Sequence, residues 1–195
     1  MKINSLDNMG IIPRPTYAVI DMERFGHNID IARNLSKSDI IAVVKADAYG
    51  HGAKILAEYA YEEKHVRNFA VATMIEGIEL RKILSSKDTK IVVLGYVSDS
   101  FVKEALESSL TLPVFDYRYA EIISKAANDL RIEAHVALEI DTGMSRLGFS
   151  YEMQLSELLK QYKNIHVDFA ISHLATSDCD NSYAHIQTER FDKFL

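Results

Sequence analysis

Between residues 40 and 195 the chain repeats one pattern: a short apolar run, then a longer stretch whose apolar residues recur every three or four positions. Short continuous apolar runs suit strands buried on both faces, and the three-to-four spacing suits helices that cover them. The runs fall at residues 40–44, 69–72, 91–94, 112–115, 134–140 and 167–172, with one more at 17–20. The stripes between them include Met22, Phe25, Ile29 and Ala32 on a helix over 22–36, then Leu56, Ala57 and Ala60 after Ala53. They continue with Leu80, Ile83 and Leu84, with Val102, Ala105 and Leu106, and with the clearest set, Tyr119, Ile122, Ile123, Ala126, Ala127 and Leu130. Leu155, Leu158, Leu159 and Tyr162 form another, and residues 183–195 a last helical segment. Alternating strand and helix predicts an α/β fold with a parallel sheet.

Two architectures satisfy that pattern. An open doubly wound sheet can be complete in 195 residues, whereas a (β/α)8 barrel needs eight units and about 250 residues. With 48% hydrophobic residues the chain can bury a domain-sized core. A formal charge of −6, with no long basic run, argues against nucleic acid as a partner and for a small molecule. No apolar run approaches bilayer length and residues 1–10 lack a signal-peptide core, so no membrane association and a cytoplasmic location are expected. Cys179 is the only cysteine, which excludes a disulfide within the chain. Pro13 and Pro15 are expected to hold the entry to the first run extended.

The stretch richest in chemistry is AVVKADAYGHGA, residues 42–53. The apolar run delivers Lys45 to the carboxyl end of a strand, where ligands and catalytic groups collect in parallel α/β folds. Taken alone, a strand-ending lysine is most often a solvated surface group. Partly desolvated, it becomes a nucleophile able to form a Schiff base with an aldehyde.

This stretch closely resembles the lysine motif of the alanine racemase family. The resemblance implies that Lys45 holds pyridoxal 5′-phosphate as an imine and that Tyr49 hydrogen-bonds the cofactor phosphate. A second stretch, EIDTGMSRLGF at residues 139–149, is similar to the family segment whose arginine serves the cofactor's phenolic oxygen and approaches the substrate carboxylate, which here is Arg146. A guanidinium suits that task because it stays charged and can serve two anionic oxygens. Glu139 departs from the family, where that position is commonly a carbamylated lysine that orients the arginine. The glutamate carries the negative charge unmodified, on a shorter side chain. A third stretch, SHLATSD at 172–178, places His173 where the family has a histidine against the cofactor ring, and QTERF at 187–191 resembles the following helix and is assigned packing.

The resemblance also selects the architecture. It implies a pyridoxal-phosphate-binding (β/α)8 barrel, of which residues 1–195 hold about six of eight units, without the family's C-terminal β domain. The strand over residues 16–21 is expected to join that absent domain. The implied activity is interconversion of L- and D-alanine, which supplies D-alanine for peptidoglycan. Lys45 is the base on one face, and the opposite base is a tyrosine from the partner subunit of a homodimer. The 195-residue chain alone is therefore expected to be inactive. A racemase of serine or another amino acid, a decarboxylase on the same barrel, and a non-catalytic pyridoxal-phosphate carrier remain open. No metal is expected: His173, Asp178, Cys179, Asp180 and His185 fit no zinc spacing, and Gly50-His51-Gly52 is no phosphate loop in its own right.

Overall fold

The computed structural model describes residues 17–85, 88–179 and 181–195. Pro13, Pro15, Thr16 and Asp180 lie outside them. Helix α1 (Met22–Ser36) opens the described chain, started by Asp21, whose side chain accepts from the Arg24 N–H. Strand β1 (Ile41–Val43) leads through a short segment, α2 (Lys45–Gly50), into α3 (Ala53–Glu62). Then come β2 (Asn68–Val71), α4 (Met74–Ile83), β3 (Lys90–Val93), a 3-10 turn (Asp99–Phe101), α5 (Val102–Glu107), β4 (Leu112–Val114) and α6 (Tyr117–Leu130). The chain continues through β5 (Ala134–Asp141), the two-residue β6 (Phe149–Ser150), α7 (Ser156–Gln161), β7 (Ile165–Ile171) and α8 (Asn181–Phe194). Every strand pairing is parallel.

Strand order discriminates between the two candidate architectures. The long strands follow one another as β1, β2, β3, β4, β5 and β7, each beside its predecessor. A doubly wound sheet reverses direction at a switch point. This order has no reversal, so the sheet is wound in the barrel sense, with β1 and β7 at its two edges among the described residues.

The join between β3 and β4 is narrow. Thr111 donates to the Ile91 carbonyl at 2.9 Å and accepts from the Val93 N–H at 3.0 Å, and one bridge, Val92 to Thr111, is formed. The next rung would need an N–H at position 113, where proline has none. The pairing stops there.

One face of the sheet packs on the helices. Phe69, Ile91, Leu112, Val114 and Val136 from the strands are buried against Leu56, Leu80, Ala105, Tyr119 and Ile123 from α3 to α6. On the opposite face a smaller apolar layer gathers Ala70, Val92 and Ala137 with Ile41, Leu94, Phe169 and Ile171. Period-two alternation puts these residues on one side of their strands. Two sequence expectations differ in detail. Ala32, on the predicted inner stripe of α1, is exposed, so that stripe is narrower than its periodicity suggests. Residues 17–20 pair with no strand among the described residues.

Candidate active site at the carboxyl ends of the strands

The Val44 N–H extends the β1 ladder by donating to the Ala70 carbonyl at 2.9 Å, and Lys45 follows, half-buried. The backbone then changes hand. Ala46, Asp47, Ala48 and Tyr49 all have φ between 52° and 55°, a left-handed turn without a glycine. Such a conformation costs about 1–2 kcal/mol per residue, so neighbours must hold it. Glu76 does so from α4: its Oε1 accepts from the Ala46 N–H at 2.7 Å, while Oε2 accepts from Ala72 at 2.8 Å and Thr73 at 2.9 Å. Inside the turn, Asp47 Oδ1 accepts from the Ala53 N–H at 2.7 Å and the Asp47 carbonyl from Gly52 at 2.9 Å. Burial pushes the Glu76 carboxyl up, but the three N–H donors outweigh it and hold it below the usual carboxylate range. The turn brings the Tyr49 ring to 5.8 Å from Lys45 Nζ.

The other half of the site lies across the sheet, beyond β2, β3 and β4. At the end of β5, Asp141 Oδ1 accepts from the Gly143 N–H at 2.9 Å and the Ser145 N–H at 3.0 Å, folding the loop that carries Arg146. Gly148 closes that loop at φ +124°, and a Cβ there would lie 2.8 Å from the Glu139 carbonyl oxygen, so no other residue fits. Helix α8 clamps the loop from behind. Tyr183 donates to the Gly143 carbonyl and Arg190 to the Thr142 carbonyl, both at 2.8 Å. Gln187, fully buried, donates to Thr142 Oγ1 at 3.1 Å and to the His173 carbonyl at 3.0 Å, and accepts from the Ala175 N–H at 2.8 Å. The sequence suggests only packing for this segment. Its glutamine joins the β5 loop to the β7 loop by hydrogen bonds.

Glu139 is half-buried on β5, and burial pushes its carboxyl up to about 7, the nearby positive charge of Arg146 pulling the other way. Arg146 and His173 are exposed. The structure thus places Lys45 beside Tyr49 and Glu139 within electrostatic reach of Arg146, with His173 on the adjoining loop. Thr73-Met74-Ile75-Glu76 is a readable capping-box pattern, whereas nothing in the sequence marks Glu76 as a support of the Lys45 turn.

The alanine racemase N-terminal domain family matches residues 20–195. Alanine racemase 1 of Clostridium acetobutylicum is 41% identical over 186 residues, covering 93% of this chain and 47% of the relative. The alanine racemase of Methanococcus maripaludis is 35% identical over 191 residues, covering 95% of this chain and 50% of its own length. Among solved structures, the alanine racemase of Clostridium difficile 630 superposes with a TM-score of 0.77 at 32% identity, covering 88% of this chain and 45% of that one. That of Streptomyces coelicolor A3(2) gives 0.79 at 26% identity, covering 90% and 48%. The chain spans about half the length of the relatives it matches, and its parallel units form part of the barrel those proteins share. With the family match running from α1 through α8 and every strand-end motif inside it, the chain belongs to the alanine racemase N-terminal domain family.

Proposed function

We propose that this chain is the cofactor-binding part of a pyridoxal-phosphate-dependent racemase that interconverts L- and D-alanine. The observation that carries the reading is Lys45, half-buried at a strand end and presented by a left-handed turn of four non-glycine residues. Stored backbone strain of this kind clusters at functional sites. The donor set fits pyridoxal phosphate: a primary amine for the aldehyde, a phenol at Tyr49 for the phosphate, a guanidinium at Arg146 for the phenolic oxygen, and an imidazole at His173 for the ring face. When bound, the cofactor supplies an electron sink for the charge left on Cα after its proton departs.

The chain's own groups then have distinct tasks. Lys45 Nζ anchors the cofactor and, once released to the substrate stage, takes or returns the Cα proton on its face. Arg146 pairs with the substrate carboxylate, and Glu139, once ionised above about 7, steadies Arg146 by its charge in place of a carbamylated lysine. Racemisation needs a base on the opposite face, which we assign to a tyrosine of a partner subunit in a homodimer. D-alanine made this way would feed peptidoglycan. No helix among the described residues is long and apolar enough to cross a membrane.

The test is to load the chain with pyridoxal phosphate, reduce with borohydride and map the pyridoxyl peptide. A label on Lys45 alone is expected. A folded chain labelled elsewhere, or not at all, overturns the assignment. Substrate is tested in the longer protein by Cα deuterium exchange: alanine exchanging no faster than serine would replace alanine as substrate.

A further inference from the structure

A second polar group lies at the opposite, amino end of the sheet, on the same face as the small apolar layer. His135 on β5 and His166 on β7 are register partners across the two strands, with ring centroids 5.1 Å apart. Asp168 follows on β7 where the register slips: Val136 faces Val167, but Ala137 faces Phe169, so Asp168 is the extra residue of a bulge. A bulge re-aims a side chain. Asp168 is thereby turned toward both histidines, its Oδ1 lying 3.1 Å from His135 Nδ1 and 3.7 Å from His166 Nε2. Its side chain is 1% exposed, whereas His135 and His166 are 50% and 52% exposed. The three donor atoms fall within 4.8 Å of one another.

We infer that His135, His166 and Asp168 form a binding site for a divalent first-row transition ion of the zinc or cobalt class. Two imidazoles and one carboxylate are the ligands such ions prefer over magnesium or calcium, and three protein donors leave positions open for water. Bonds of about 2 Å in a tetrahedral arrangement put ligand atoms about 3.3 Å apart, close to the 3.1 Å and 3.7 Å between Asp168 and the two histidines. Thr111 donates to Asp168 Oδ2 at 3.1 Å, the kind of neighbouring hydrogen bond that orients a ligating carboxylate. The competitor is Lys90, whose Nζ lies 2.5 Å from Asp168 Oδ1 and 5.3 Å from the centre of the Phe169 ring. Its side chain is 44% exposed, so the ammonium can swing into water when an ion takes that oxygen. Lys90 sets the affinity by competition.

The site is tested with Zn2+ by equilibrium dialysis and with Co2+ by ligand-field absorption. One ion per chain is expected. His135→Ala and His166→Ala, both at half-exposed positions, are each expected to weaken binding by about tenfold or more. Lys90→Met, which removes the competing charge, is expected to tighten it. Paramagnetic Co2+ should broaden the ring signals of both histidines, a readout that does not depend on any variant folding. No saturable binding by the unsubstituted chain overturns the inference, as does binding that both histidine substitutions leave unchanged.

Discussion

The two ends of the sheet handle polar groups in opposite ways. At the amino end the side chains satisfy one another: Asp168 meets Lys90, Thr111 and His135 directly. At the carboxyl end, charged neighbours grip the backbone instead. Glu76 holds three N–H groups and Asp141 two, which leaves Lys45, Tyr49, Arg146 and His173 less committed. Ala70, Val92, Ala137 and Phe169 separate the two ends with an apolar layer. At the carboxyl end the side chains are positioned through their main chain and stay available to a ligand, whereas at the amino end an incoming ion has to displace Lys90 from Asp168.

The sharpest way to break this contrast is Lys45→Ala. It should abolish pyridoxyl labelling outright while leaving Co2+ binding at the amino end intact; loss of both would mean the ends are one cooperative site. Next in size is Asp168→Asn, which leaves Lys90 beside a neutral amide and should cost about 2 kcal/mol in urea unfolding, the pair being half-exposed on the lysine side. Glu76→Ala should cost about 1–2 kcal/mol by freeing the α4 cap and the Ala46 N–H. It should also slow labelling of Lys45, whereas Thr73→Ala, which weakens the same cap from its other partner, should lower stability without slowing it. Equal labelling in both variants would deny Glu76 a part in presenting the lysine.

The smallest effect concerns Glu139. Its carboxyl is raised from the ordinary 4.5 to about 7 in the folded chain, so between those values the folded state holds a proton that the unfolded state has lost. Stability therefore falls as pH rises across that window, by about 1 kcal/mol after allowance for partial solvent contact. Glu139→Gln should flatten the slope. An unchanged slope would place the titration elsewhere.

Much of this architecture is legible in the amino-acid sequence. Apolar runs mark the six long strands because each packs apolar side chains on the core, although β1 is only half-buried and its Val43 exposed, and the stripe on α6 matches its buried residues Tyr119, Ile123, Ala126 and Ala127. The strand-end positions of Lys45, Arg146 and His173 follow from the same runs. The left-handed turn does not, since alanine and tyrosine disfavour that conformation and the bonds of Asp47 inside it are completed by the distant Glu76. Phe149–Ser150 is too short to register as a strand, its pairing depending on the bend at Gly148. His135, His166 and Asp168 are invisible as a set because register and a bulge, neither written in local composition, bring them together. The clasp of Gln187 on two loops is hidden for the same reason: its partners lie 14 and 45 residues away.

The proline-shortened join between β3 and β4 has a further consequence. Lys45 stands on one side of that seam and Arg146 with His173 on the other, so within the sheet the amine and the guanidinium belong to two sets of strands that meet at the single Val92–Thr111 bridge. At the far end Lys90 and Thr111, from opposite sides of the seam, both fasten on Asp168. Side chains at the amino end therefore stitch together two sets of strands that the main chain joins by one bridge.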